Sequence, residues 1–327
     1  MDILFLGTSS GVPTRQRNVT GLALQPENSK QWYLVDCGEA TQHQLLQTPL
    51  SVQNLKAIFI THVHGDHSYG LPGLLASAAM AGRKEPLTLI GPQALEGWIA
   101  ATRDMSELYL PYELQFLAVE KLETWQDEQV QVGMTRLSHR VPCWGYTFCD
   151  TRRDAAIDGA KLLAEQVPQG ELWGRLKKGL DVEFQGRTLL ASDYLIYPHP
   201  PRKIVVGGDN GQPALLKNAC AGAQVLIHEA TYTEDVAKKV GPGVQHSAAS
   251  WVAEFAEAAA VPNLLLTHFS PRYQHNAAHS PSIDDIRLEA AAHYHGKLWL
   301  AADFARYRLS KAGALQLLAP PAGGGTA

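Results

Sequence analysis

Short apolar runs that each close on a cluster of histidine, aspartate or glutamate set the strongest limit on how this chain folds. "LKAIFIT" leads into "HVHGDH", "VQVGMTRL" into "SH", "RKIVV" into "GGDN", "AQVLI" into "HEAT" and "NLLL" into "THFS". Runs of this kind read as buried strands. "DILFLG", "GLALQ" and "QWYLVDCG" read as strands too, and "VQVGMTRLSH" with "CWGYTFCD" as a hairpin-like pair. Helical stretches lie between them, among them "ATQHQLLQT", "GLPGLLASAAMAG", "PQALEGWIAATRD" and "SAASWVAEFAEAAAV". Alternation of this sort predicts an α/β protein with sheets buried between helices. Polar clusters at strand ends are where layered α/β proteins gather their sites.

The 327 residues suffice for a large core. A formal charge of −4 and a pI near 6.3 give no whole-chain signal for nucleic acid, so any such partner needs a local basic surface. Cys37, Cys143, Cys149 and Cys220 are scattered, without a C-x-x-C pair, and read as reduced thiols of a cytoplasmic protein. The opening residues read as a strand rather than a signal peptide, and no run has the length of a membrane span. From about 151 to 193 the rhythm breaks into a polar, turn-rich stretch that looks inserted. The expected organisation is one domain over 1–318 carrying that insertion, with a disordered tail at 319–327 ("APPAGGGTA").

The quartet in "THVHGDH" carries the most chemistry. In an extended turn, residues two apart point to the same side, so His62 and His64 can converge on one ion while Asp66 and His67 turn toward a second. Imidazole and carboxylate donors suit Zn²⁺, with Mn²⁺, Co²⁺ or Fe²⁺ as substitutes. One quartet cannot complete two shells. His139, Asp209 and His268, at other strand ends, are the candidates to complete them. The loop "GTSSGVPTRQRN" is expected beside the metals, where Arg15 and Arg17 would meet phosphates.

T-H-x-H-x-D-H with distant His, Asp and His ligands resembles the metallo-β-lactamase superfamily. Within it, the chain resembles the ribonuclease Z (ribonuclease BN) family nearly end to end, through "FLGTSSGVPTRQRN", "DCGEATQHQL", "FITHVHGDHSYGLPGLL", "GYTF", "HEAT" and "THFSPRY". The resemblance implies a four-layer αββα sandwich with a protruding, flexible arm. It implies two Zn²⁺ per subunit, the first held by His62, His64 and His139, the second by Asp66, His67 and His268, with Asp209 shared. It implies a cytoplasmic, homodimeric endoribonuclease that removes 3′ trailers from precursor tRNA, leaving a tRNA 3′-hydroxyl and a trailer 5′-phosphate. A metal-activated hydroxide, oriented by Asp66, would attack phosphorus. His246, paired with Glu229, would protonate the leaving 3′ oxygen. Asp36 would brace a ligating imidazole. Neither membrane nor DNA is expected as a partner.

The insertion stands where the family's arm grips the tRNA elbow of the partner subunit's substrate. "VPQGELWGRLKKG" reads as a Gly-rich tip on which Arg175, Lys177 and Lys178 track phosphates. Three departures from the family pattern stand out. "GGDN" replaces G-D-T, "HSAAS" replaces H-S-T, and "QVPQGE" replaces a Gly-Val-Pro-Pro-Gly-Pro run. Ser247 or Ser250 is expected to cap the helix after His246. Two alternatives stay open: a general metal-dependent phosphodiesterase or exoribonuclease, and a non-catalytic RNA-binding protein with a structural metal.

Overall fold

Two large sheets frame the computed structural model, which describes residues 1–152, 154–275 and 280–319. Of the tail expected at 319–327, residues 320–327 lie outside the described residues. By its contacts the chain divides into two units, Met1–Cys149 with Arg202 onward, and Asp150–Pro201.

The first sheet holds β1 (Asp2–Gly7), β2 (Gly21–Gln25), β3 (Trp32–Cys37), β4 (Leu55–Phe59), β5 (Leu87–Gly91) and β6 (Leu114–Ala118), with β18 (Arg306–Leu309) and β19 (Leu315–Leu317) added beside β1. The second runs β17 (Lys297–Leu300), β16 (Asn263–Thr267), β15 (Val225–Glu229), β14 (Lys203–Val206), β9 (Cys143–Asp150), β8 (Val130–Leu137), β7 (Thr124–Gln126). Alternation along each strand sends one set of side chains between the sheets and the other outward. In β1, Ile3 and Phe5 enter the inter-sheet core with Tyr33, Phe59, Tyr146, Phe148, Val206, Ile227 and Leu265. The Phe59 ring meets Phe148 at 5.1 Å and Tyr146 at 5.2 Å, which ties one sheet to the other. Truncating so buried a ring to alanine costs about 3–5 kcal/mol.

The outer faces are covered by helices. Leu4 and Leu6 pack with Leu45 of α1 (Thr41–Leu46), with Leu71, Leu74 and Leu75 of α3 (Leu71–Met80), and with Leu95 and Ile99 of α4 (Ala94–Met105). The single turn α2 (Gly65–Ser68) precedes α3. On the other side, Val205, Leu226 and Leu264 pack with Cys220 of α7 (Lys217–Cys220), Val252 and Ala256 of α9 (Ala249–Ala258) and Ile286 of α10 (Ile283–Ala291). The α8 helix (Glu234–Val240) runs between β15 and α9 in sequence. Helix, sheet, sheet and helix make four layers. Burial on both faces explains why the strands read as unbroken apolar runs.

Strands β3 to β6 are parallel neighbours, as are β14 to β17. Their carboxyl ends therefore fall on one edge of each sheet. The last strands close on the first: Asp2 lies opposite Arg308, and its carboxylate accepts hydrogen bonds from Arg306 and Arg308 at 2.6–3.1 Å.

The Asp150–Pro201 unit has its own small core of Leu162, Val167, Leu176, Val182, Leu189, Ala191 and Tyr194. It contains the ribbon β10 (Ala156–Ile157) with β13 (Leu195–Ile196), the hairpin β11 (Val182–Phe184) with β12 (Arg187–Leu189), and the helices α5 (Gly159–Ala164) and α6 (Glu171–Lys177). The Gly-rich loop expected here is mostly α6. Gly170, at φ 140°, makes the turn into it, and Leu172, Trp173 and Leu176 give it an apolar side at helical spacing.

Candidate metal centre

Four strand ends and one helical turn deliver the candidate ligands. His62 and His64 follow β4, His139 follows β8, Asp209 follows β14 and His268 follows β16. Asp66 and His67 sit in α2. His62, His67, Asp209 and His268 are buried; His64, Asp66 and His139 are half-buried.

The donor atoms form two groups. In the first, His62 Nε2 lies 3.0 Å from His64 Nδ1, and His139 Nε2 lies 3.2 Å from the same atom. Asp209 Oδ2 lies 3.6 Å from His62 Nε2 and 3.7 Å from His139 Nε2. In the second, His67 Nε2 and His268 Nε2 are 3.1 Å apart, each within 3.5 Å of Asp66 Oδ2 and 3.4 Å from Asp209 Oδ1. Asp209 therefore shows one oxygen to each group. An imidazole nitrogen has a single in-plane lobe, so the contacts within a group cannot all be hydrogen bonds. A tetrahedron with metal–ligand bonds of about 2.0–2.1 Å has edges of roughly 3.3 Å, the scale of these separations. The donors thus fit two ions sharing a carboxylate.

The far nitrogens are equally constrained. His67 Nδ1 donates to Asp36 Oδ2 at 2.7 Å, and His139 Nδ1 donates to the Gln245 carbonyl at 3.2 Å. Thr61 Oγ1 donates to Asp36 at 2.9 Å and accepts from His62 Nδ1 at 3.0 Å. Thr231 Oγ1 donates to Glu229 and accepts from His268 Nδ1 at 3.0 Å. Each partner leaves the ring's Nε2 with its lone pair facing the site, the tautomer a ligand needs.

Electrostatics agree with a site made for positive charge. Among the described residues, the ion-pair partners of Asp36, Asp66 and Asp209 are all imidazoles. Burial, then neighbouring imidazoles, push His62 far down. Burial also lowers His64 and His139. Burial would lower His67 as well, but Asp209, Asp66 and Asp36 outweigh it and lift it to about 10. Burial would raise Asp66; His67, His268 and the Gly11 N–H, which donates to Oδ2 at 2.7 Å, carry it well below the usual carboxylate range.

His246 stands beside the second group. Its Nδ1 is 3.1 Å from both Glu229 oxygens and 3.7 Å from Asp209 Oδ2. Burial would lower its pKa, but Glu229 and then Asp209 hold it up at about 9. Burial would raise Glu229, and His246 lowers it. Nδ1 is thus committed to Glu229, and Nε2 is the nitrogen left to serve a substrate.

The remaining expected residues fall into two sets. Arg15 is exposed, and so are Arg175 and Lys177 on α6 and Lys178 at its C-cap. Arg17 departs from expectation, because its guanidinium is buried rather than free for phosphates. It donates to Thr8 Oγ1 at 3.0 Å and the Ala301 carbonyl at 3.1 Å, and lies 5.0 Å from the Phe269 ring centroid. The capping expectation fails too. Ala248 is the N-cap of α9, Ser247 Oγ donates to the Asn210 carbonyl at 2.6 Å, and the Ser250 N–H goes to Glu289.

In the sequence Asn210 stood out only as the departure in "GGDN", and His228 was given no role. Asn210 is fully buried; its N–H donates to Glu229 Oε1 at 2.8 Å, its Oδ1 accepts from Ser138 N–H at 3.2 Å, and its Nδ2 lies 3.3 Å from His228 Nε2. It links the loops carrying His139, Asp209 and Glu229. The only sequence signal was that Asn stands where threonine was expected.

Fold and site together define a metal-dependent hydrolase of the metallo-β-lactamase fold. A family profile described as anti-Pycsar protein Apyc1 matches residues 1–103. A ribonuclease Z of Pseudomonas putida (strain GB-1) is 53% identical over 97% of this chain and 99% of its own length. A ribonuclease Z of Brevibacillus brevis is 39% identical over 89% and 91%. Human tRNase Z, short form, superposes with a TM-score of 0.62 at 26% identity, covering 94% of this chain and 98% of that one. The chain belongs to the ribonuclease Z family, and it is a metal-dependent endoribonuclease, a phosphodiester hydrolase.

Proposed function

We propose that this enzyme removes 3′ trailers from precursor tRNA, leaving a tRNA 3′-hydroxyl and a 5′-phosphate on the trailer. The observation that carries the site reading is Asp209, whose two oxygens face two separate donor groups beside the His246–Glu229 pair. His62, His64 and His139 would hold one Zn²⁺, Asp66, His67 and His268 the other, and Asp209 both. When bound, two such cations supply a water acidic enough to attack at neutral pH and offset charge growing on the phosphoryl oxygens.

The side chains do the rest. Asp66, fixed by the Gly11 N–H, orients the attacking water. As the water, one proton released to solvent, bonds through its oxygen to phosphorus and the bond to the 3′ oxygen breaks, His246 Nε2–H gives its proton to that oxygen, and the water's other proton stays on the trailer's 5′-phosphate. Glu229 keeps His246 charged and oriented. Asp36 holds the His67 ring in place. The 150–201 unit is the tRNA-gripping arm of a homodimer, with Arg175, Lys177 and Lys178 on phosphates and Arg15 nearer the metals. Cys37, Cys143 and Cys220 are buried thiols and no disulfide joins the described residues, as suits a cytoplasmic enzyme; no helix among the described residues is long and apolar enough to cross a membrane.

The test compares precursor tRNA with bis-p-nitrophenyl phosphate. Because Trp173 and Leu176 serve the arm's own core, charge reversal at Arg175, Lys177 and Lys178 probes the grip more cleanly than deleting Gln169–Gly179. Loss on the tRNA alone supports the assignment. Equal loss on both substrates counts against it, and failure to cut precursor tRNA at its 3′ side ends the reading.

A further inference from the structure

A cavity beside His246 takes no part in the chemistry described so far. It measures about 580 Å³, and its lining includes His246, Gln245, Tyr232, Trp251, Lys238 and Pro242. That volume is within the range of pockets that enclose small organic ligands. Its walls are fixed. The Tyr232 ring stands edge-on to the His246 imidazole, 6.0 Å between centroids and 85° between planes, and the Arg272 guanidinium lies 5.1 Å from the Tyr232 centroid. The Glu234 carboxylate binds Lys238 Nζ at 2.9 Å and also bonds the Trp251 side chain. Gln245 gives its backbone carbonyl to His139, while its side-chain oxygen is buried with no donor among the described residues.

Two aromatic side chains and a lysine held by Glu234 fit a nucleobase. A base offers flat faces for stacking, N–H groups at its edge and a phosphate close by. Aromatic stacking of this kind is tolerant of base identity. The cavity also shares His246 with the reaction, and the Nδ1 of that ring is committed to Glu229 and lies 3.7 Å from Asp209. With His246 serving the leaving oxygen, a ligand in this cavity would lie on the leaving-group side of the scissile bond.

We infer that this cavity seats the base of the nucleotide whose 3′ oxygen leaves, the last nucleotide retained by the tRNA. The inference rests on reading His246 as the proton donor to that oxygen. A base held between Tyr232 and Trp251 fixes its own ribose beside His246, so the pocket positions the leaving oxygen without selecting sequence. Tyr232 and Trp251 are positioning residues here.

The experiment uses the holoenzyme and two precursor tRNAs, one intact and one abasic at the nucleotide just 5′ of the scissile bond. Removing the base, or making Trp251→Ala, is expected to lower kcat/KM roughly tenfold. Combining the two should cost little more, because both remove one contact. All four natural bases at that position should be cut within a few-fold of one another. Equal cleavage of the abasic substrate overturns the inference, as do losses that multiply. If Trp251→Ala does not fold, the two substrates on the unaltered enzyme still decide the matter. Quenching of 2-aminopurine at the same nucleotide, followed in stopped flow before cleavage, is the second readout, and its absence counts against stacking. If intact precursor is not cut at all, the reaction assigned above fails instead, which is a distinct result.

Discussion

The two units use charge in opposite ways. In the larger, the ionisable groups at the strand ends are buried or half-buried and paired, many of them twice over. His67 touches Asp36 on one edge and Asp66, Asp209 and His268 on the other. In the Asp150–Pro201 unit, Arg175 and Lys177 stand exposed on a helix of seven residues, and Lys178 stands exposed at its C-cap. Buried, paired charge makes a fixed geometry, and each member is costly to remove. Exposed charge makes an adaptable surface on which each member is worth little alone. Chemistry at one phosphorus atom needs the first arrangement, and contact with a long polyanion needs only the second.

Substitutions ordered by expected size can break this contrast. Asp209→Ala should abolish cleavage of every phosphodiester substrate and leave metal content well below two ions per chain by elemental analysis; chelation of native enzyme should give the same inactivity. A variant that retains both ions and its rate would remove the shared carboxylate from the account. His246→Ala should keep both ions and lose on the order of 10²–10⁴-fold in kcat. The loss should be smaller on a substrate with a good leaving group such as p-nitrophenolate, and an equal loss would place His246 outside proton donation. Asp36→Ala should weaken metal affinity about 10–100-fold, read by chelator competition, since it frees the His67 ring. Triple charge reversal in the arm should raise KM for precursor tRNA and flatten its dependence on salt, with the small substrate untouched. An unchanged salt slope would show those cations to be bystanders. The smallest effect belongs to Arg17→Ala, expected to lose about 1.5–3 kcal/mol of stability through its buried hydrogen bonds, seen as a Tm lower by several degrees.

The sheets were legible in the sequence because burial on both faces leaves unbroken apolar runs, and "LKAIFIT" or "NLLL" allows little else. The "THVHGDH" cluster was legible because one turn holds it. Arg17 was not. It sits in a Gly, Pro and Arg-rich loop that reads as solvated, and its burial depends on Phe269 and Ala301, which only the fold brings near. The α6 helix was hidden by glycines at 170, 174 and 179, whose loop signal is local, while Leu176 docks into a core that needs Leu162 and Leu189. The role of Asn210 was invisible for a related reason: its partners are Ser138, after β8, and His228 and Glu229, on β15, which only the fold brings to it.

The pairing of β18 with β1 bears on how the enzyme is born. On the ribosome, β1 is made long before β18 and lacks its neighbour on that side until Arg306–Leu309 has been made. His268 likewise appears long after His67, the imidazole it faces across the second donor group. A chain made past His67 but not yet as far as Asp209 and His268 therefore holds an incomplete set of donors, and such nascent fragments are expected to lack nuclease competence.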